Sequence, residues 1–301
     1  ANFDTLEEYG INLVPLATFA MEVYGDDPCT EFIPKLQMGD TMDEKTKLLT
    51  ARMHKAISVL QFKEEAKIFK RRGEWGMANS CMLDTIDYSR GVCIIDGKEY
   101  NMTSCDFPTV MPNSPNELTV EEEMLMNKLQ HSFTVSERLR KHTKALLSHG
   151  CMFAIYNSNL LFHAAIPLNE DGSSKGVSLY NDGQEYSGRE LMHHIGMIIR
   201  SAFEHDTTDN ERQFAIDYFL YLWCGKDSPL FDKSKMATFE RYFLTDKSVF
   251  VEEKGAYFRL RNDEGICDKI LDAFGVEGEN RHIINGHVPV HASRGENPIK
   301  A

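Results

Sequence analysis

Apolar positions recur at helical spacing through much of the first half of the chain. Leu13, Leu16, Phe19, Ala20 and Val23 form one stripe. With Asp4 as N-cap and Glu7 three residues later as its capping-box partner, the spacing predicts a helix over residues 4–24. Gly25-Asp26-Asp27-Pro28 stops it. The longest regular pattern covers residues 43–72, with Met53, Ala56, Ile57 and Leu60 in register. Asp43 and Glu44 lie at the positive end of that helix dipole, and Lys67, Lys70, Arg71 and Arg72 at the negative end. The basic run reads as a solvated helix end, with a phosphate or nucleotide site as the alternative. Thr119 predicts the cap of a helix through about Ser148, with Glu121, Glu122 and Glu123 in its first turn and Gly150 as its stop. Further helices are predicted over 188–204, 209–224 and 263–274, the last closed by Gly275.

Strand patterns are shorter. Residues 91–102 predict a hairpin turning at Asp96-Gly97. Cys151–Tyr156 and Asn159–His163 read as two strands around Asn157-Ser158; neither alternates cleanly, which predicts burial on both faces. Residues 176–186 suggest another hairpin, turning at Asn181-Asp182-Gly183. Ile283-Ile284-Asn285 reads as a short buried strand, followed by Gly286, where the backbone can turn or approach a bound group, and then His287. Pro289 takes the strand out of its sheet. The two apolar strands share one plan: each ends at a histidine, His163 or His287, with a proline soon after. An imidazole held rigidly at a strand end is a good metal ligand; the plainer reading is a loop histidine.

Composition narrows the function classes. The 301 residues suffice for one large domain or two ordinary ones. Lys plus Arg is 33 and Asp plus Glu is 46, so the net charge of −13 argues against a nucleic-acid partner. It would also repel a small anionic substrate unless local cations or metal ions offset it. Seven cysteines with no CxxC pair fit reduced thiols in a cytoplasm. No apolar run approaches the ~18 residues of a membrane span, and no signal peptide opens the chain. The first residue is Ala, and both ends are compatible with a fragment. GxGxxG, GxxxxGK[ST] and HExxH are absent. His193 and His194 are adjacent, so on a helix they point about 100° apart and cannot both face one ion well. Arg241 stands among Phe239, Tyr242 and Phe243, either burying its stem beside the rings or held as a fork for phosphate.

Longer strings carry a resemblance. Tyr156-Asn157-Ser158-Asn159 through His163 to Gly172, and Asn285-Gly286-His287 through Arg294-Gly295-Glu296-Asn297-Pro298-Ile299-Lys300, resemble the fourth and fifth metal-ligand motifs of class III fructose-1,6-bisphosphatases. Tyr9–Leu13, Tyr221–Gly225, Ser228–Phe231 and Thr238–Phe243 also match that family, so the resemblance covers essentially the whole chain. It implies an α/β fold, here part of a metallophosphoesterase β-sandwich core with large, mainly helical insertions. Core strands would lie at 151–172 and 281–301, with insertions at 1–150 and 173–280. It implies a cytoplasmic enzyme of gluconeogenesis that removes the 1-phosphate of fructose 1,6-bisphosphate with a binuclear Mn²⁺ site. His163 and His287 would ligate one of the two metals.

The three earlier metal motifs of that family, DxH, GDxxDR and GNHD, do not occur here, so this chain would be the middle part of the enzyme and inactive alone. Ala164 stands where the family usually has Gly, and Ser158 replaces a usual turn Gly. Arg241 and Lys300 are hypothetical substrate-phosphate contacts. AMP and phosphoenolpyruvate are candidate effectors, and a homo-oligomer is a candidate assembly. Two other readings are a serine/threonine phosphoprotein phosphatase and a non-catalytic module that needs an N-terminal partner.

Overall fold

The structure is a computed structural model and describes residues 3–36, 41–180, 183–204, 207–287, 289–291, 293 and 295–299. In chain order the helices are α1 (Phe3–Glu8), α2 (Val14–Val23), α3 (Glu44–Arg71), α4 (Val120–Val135), α5 (Glu137–His149), α6 (Gly188–Ser201), α7 (Asp209–Cys224), α8 (Thr238–Phe243), α9 (Ala256–Leu260) and α10 (Glu264–Phe274). The strands are β1 (Ile86–Asp87), β2 (Val92–Ile95), β3 (Lys98–Asn101), β4 (Phe153–Tyr156), β5 (Asn159–Phe162), β6 (Val177–Ser178), β7 (Glu185–Tyr186) and β8 (His282–Asn285). The class is α/β, as expected. The chain divides into two compact units, Ala1–Ser148 with Ala237–Val251, and His149–Met236 with Glu252–Ala301. Among the described residues no helix is long and apolar enough to cross a membrane. All seven cysteines are free.

The first unit is built on α3. Asp43 caps it by accepting from the Lys45 and Thr46 amides. Ala56, Val59, Leu60 and Phe62 of α3 bury against Leu16 and Phe19 of α2, Leu125 and Leu129 of α4, and Phe239 and Phe243 of α8. Two lysines of α3 enter this core. Lys55 pairs with Asp27. Lys63 Nζ donates to Glu122 Oε2 at 2.6 Å and to the Thr109 carbonyl at 2.7 Å. Glu122 also completes the capping box of α4 with Thr119, so one carboxylate serves a helix cap and a buried cation. The basic end of α3 is paired: Lys67 with Glu64, Lys70 with Asp84, Arg72 with Glu74.

Two predicted helices are each divided. The 4–24 pattern breaks after α1, where Gly10 adopts φ +73° and the chain re-enters helix with Pro15 in the first turn of α2. The 119–148 pattern breaks at Ser136, an extended residue whose hydroxyl donates to the Tyr9 carbonyl and accepts from the Leu139 amide. Serine's competition for backbone partners outweighs its place in the periodic run. The 91–102 hairpin forms as β2 and β3, with Asp96 and Gly97 both at positive φ.

In the second unit β4, β5 and β8 form one sheet in that order, β4 antiparallel and β8 parallel to β5. Asn157 and Ser158 turn β4 into β5 at φ +48° and +59°; Ser158 takes the left-handed conformation itself. Leu160 and Phe162 of β5 point into a core with Met192 of α6, Tyr257 of α9 and Ile266, Ile270 and Phe274 of α10. Asp263 caps α10 and Gly275 closes it at φ +72°. The expectation that these strands are buried on both faces is corrected. Only alternate residues of β5 are buried, Tyr156 of β4 is 71% exposed and Ile284 of β8 is 52% exposed. The core covers one face, and β4 and β8 are the outer strands of the described sheet. The 176–186 hairpin forms through β6 and β7, while Asn181 and Asp182 of its turn lie outside the described residues.

Candidate metal centre

The parallel pairing of β5 and β8 decides where the two histidines go. Phe162 pairs with Asn285, so His163 leaves β5 where the Gly286-His287 turn leaves β8. The Gly286 amide donates to the His163 carbonyl at 2.8 Å, and Asn285 Nδ2 donates to the Ala164 carbonyl at 2.9 Å. These bonds fix both strand exits relative to each other. His287 Nδ1 then lies 3.2 Å from His163 Nε2, with the rings edge-to-face at 84° and centroids 5.2 Å apart.

The sharp turn is made by His287, at φ +63°, and not by Gly286 as the sequence suggested. A Cβ on Gly286 would meet nothing closer than the His163 carbonyl oxygen, at an ordinary contact distance. Histidine is among the residues that tolerate the left-handed region. Ala164, in the place of a usual Gly, is fully buried, and the Ala165 amide donates to the Pro229 carbonyl at 3.1 Å. The Ser228–Phe231 loop is thereby tied to the chain just after His163.

The pair fits a shared cation. Two imidazole nitrogens about 2.1 Å from one metal, at an angle between tetrahedral and right-angled, would lie about 3.0–3.4 Å apart. The observed 3.2 Å falls inside that range. The donor set is partial, because no group of three or more His, Cys, Asp or Glu side chains that could hold a metal occurs among the described residues.

Burial, then the neighbouring His163, then Lys233 and Lys254 hold the His287 pKa below its ordinary value. Each cause favours the neutral imidazole, the form that binds a metal. Lys233 and Lys254 meet through an antiparallel backbone bridge. Lys233 Nζ pairs with Glu252 at 2.9 Å. Nothing in the local sequence pattern marks these two lysines; the bridge between two loops brings them together.

The other expected site residues are placed as follows. Arg241 belongs to the first unit, where its Nη2 donates to the Phe250 carbonyl at 3.0 Å and its guanidinium lies 5.9 Å from the centre of the Phe250 ring. Lys300 lies outside the described residues. His193 and His194 do sit on one helix with divergent rings, 6.2 Å apart at 85°.

The model of a family described as Firmicute fructose-1,6-bisphosphatase matches residues 1–301. Among curated proteins, one called fructose-1,6-bisphosphatase class 3 from Bacteroides fragilis is 54% identical over 302 aligned residues, covering 100% of this chain and 45% of its own length. Its namesake from Parabacteroides distasonis is 55% identical with the same coverage. Another from Alkaliphilus metalliredigens is 46% identical, also over 100% of this chain and 45% of its own length. The chain spans about half the length of the curated relatives it matches. No solved structure matches it. The chain that brings His163 and His287 together therefore belongs to the Firmicute fructose-1,6-bisphosphatase family.

Proposed function

We propose that the chain is part of a metal-dependent sugar bisphosphatase that hydrolyses fructose 1,6-bisphosphate to fructose 6-phosphate and inorganic phosphate. The observation that carries the reading is the convergence of His163 and His287, at 3.2 Å, in a chain of this family. His163 through Nε2 and His287 through Nδ1 would hold one divalent cation, proposed to be Mn²⁺. Bound metal supplies an activated water and neutralises the substrate phosphate. This chain's own contribution is orientation. The Gly286–His163 and Asn285–Ala164 bonds set the spacing of the imidazoles before any metal arrives. Burial, then His163, then Lys233 and Lys254 hold the His287 pKa down, and the two lysines offset the repulsion of a phosphorylated sugar by a protein of net charge −13.

The remaining ligands would come from polypeptide beyond these residues, so the 301-residue chain is proposed to be inactive alone. Arg241 and Lys300 as phosphate contacts, AMP and phosphoenolpyruvate as effectors, a homo-oligomeric state and a cytoplasmic location belong to the same proposal. A polypeptide extended to the length of the relatives should release phosphate from fructose 1,6-bisphosphate in Mn²⁺, and His287→Ala should cut kcat at least about 100-fold. Unchanged release in that variant overturns the role of His287. Mn²⁺-dependent release by the 301-residue chain, lost in His287→Ala, overturns the claim that it is inactive alone.

A further inference from the structure

A second group of cations lies beside the histidine pair. The Phe258 ring centre is 6.5 Å from that of His287. The same ring carries Lys254 Nζ at 5.6 Å and the Arg261 guanidinium carbon at 5.7 Å. Phe258 is buried, which fixes the ring on which both cations rest, while Lys254 is exposed and Arg261 half-buried. Among the described residues neither cation has a carboxylate partner within ion-pairing distance, in contrast to neighbouring Lys233 with Glu252. In a chain with 46 acidic and 33 basic residues, two such cations on one ring next to a phosphate-handling site are placed for an anion.

We propose that Lys254 and Arg261 form the subsite for the phosphate that is not cleaved, the one that remains on the sugar. This rests on the bisphosphatase reading above. Phe258 links His287 to both cations: its ring centre lies 6.5 Å from that of His287, 5.6 Å from Lys254 Nζ and 5.7 Å from the Arg261 guanidinium carbon. The histidine pair and the two cations are thus grouped around one ring, within the reach of a short doubly phosphorylated sugar with one phosphate at the imidazoles and the other at the cations. Phe258 is the platform, and its ring offers no polar group.

The product, fructose 6-phosphate, carries only the retained phosphate, so it probes this subsite without catalysis. The 301-residue chain, labelled at lysine and arginine side chains, is titrated with fructose 6-phosphate and with fructose by NMR. Fructose 6-phosphate should move the Lys254 and Arg261 signals, and fructose should not. Lys254→Met and Arg261→Met should each weaken fructose 6-phosphate binding about tenfold, with Lys254→Arg retaining it. In the extended enzyme, the ratio of kcat/KM for fructose 1,6-bisphosphate to that for p-nitrophenyl phosphate should fall about tenfold in the two methionine variants. That ratio is insensitive to a general loss of folded enzyme. Unchanged Kd and an unchanged ratio in both variants overturn the subsite. Product binding weakened as stated, in an enzyme that never releases phosphate from the bisphosphate, upholds the anion subsite and overturns the bisphosphatase reading instead.

Discussion

Asp232 is the group whose removal should make the protein more stable. Its residue is 3% exposed, its backbone is left-handed at φ +46°, and its Oδ2 has no hydrogen-bond partner among the described residues. Burial, and then the charge of Asp227, push its carboxyl from 3.8 up to about 6, against the opposing pull of Lys175 and Lys226. Lys175 is already bonded to Asp227 at 2.7 Å, so it answers Asp232 only weakly. Because the folded pKa lies above the unfolded one, folded protein retains a proton that unfolded protein has lost between those two values. Stability from this group is therefore full below pH 3.8 and is lost as pH rises through about 6. At about 1.4 kcal/mol per unit, the full loss is about 3 kcal/mol. Asp232→Asn keeps the shape, tolerates the left-handed backbone and cannot ionise. Urea unfolding of both proteins, followed through Trp223 in a Trp75→Phe background, gives the difference in stability at each pH. The advantage of Asp232→Asn should grow by about 3 kcal/mol between about pH 3.5 and pH 8, half of it gained by about pH 5 and nearly all of it by about pH 7. The change with pH is the decisive quantity, since any constant cost of the amide cancels. A difference that stays flat within about 0.5 kcal/mol, or falls with pH, would refute the reasoning.

Other outcomes follow from single contacts. Glu122→Gln strands the buried Lys63 and weakens the α4 cap, so the first unit should lose about 3–5 kcal/mol in urea unfolding, while Lys63→Met with Glu122→Leu should recover most of it. Gly255 has an ordinary φ of −59°, yet a Cβ there would fall on the Asp232 carboxyl group. Gly255→Ala should therefore destabilise by about 1–3 kcal/mol, seen as a lower urea midpoint. His163→Ala should abolish Mn²⁺-dependent broadening of the His287 imidazole signals in NMR; broadening that persists would separate the pair from metal binding. Ile284→Lys, on an outer strand, should lower self-association measured by light scattering, and equal scattering would show that this edge is not the adhesive surface.

Much of the fold was legible where a local device and a periodic pattern agreed. Asp43, Thr119 and Asp263 each cap the helix that the apolar spacing announces, and Asp96-Gly97 makes its hairpin. Legibility failed where the deciding partner lay far away in sequence. Nothing in the local pattern marks Lys55 and Lys63 as core residues of α3, and they lie inside because Asp27 and Glu122 meet them there. Ser136 reads as one more helical residue until the Tyr9 carbonyl draws its hydroxyl. The segment Ala237–Val251 joins the first unit although residues of the second flank it on both sides. Lys254 and Arg261 acquire meaning only through Phe258, whose position beside His287 follows from tertiary packing.

The histidine pair was legible for a different reason. Each member is placed by its own short strand, and a strand ending in a histidine is a local pattern. Their meeting, 124 positions apart in sequence, needs one long-range decision, the parallel register of β5 with β8. A slip of one residue in that register would turn the alternating side chains of β8 to the opposite face and break the Asn285–Ala164 and Gly286–His163 bonds together. The sheet thus couples core packing to the site. Leu160 and Phe162 hold β5 against α9 and α10, β5 holds β8, and β8 delivers His287. Cavities in that core, as in Phe162→Ala, should therefore loosen the 3.2 Å pair and weaken metal binding before the unit unfolds. A Phe162→Ala protein that retains full metal affinity while losing stability would mean that the backbone bonds at the strand ends set the site without help from the core.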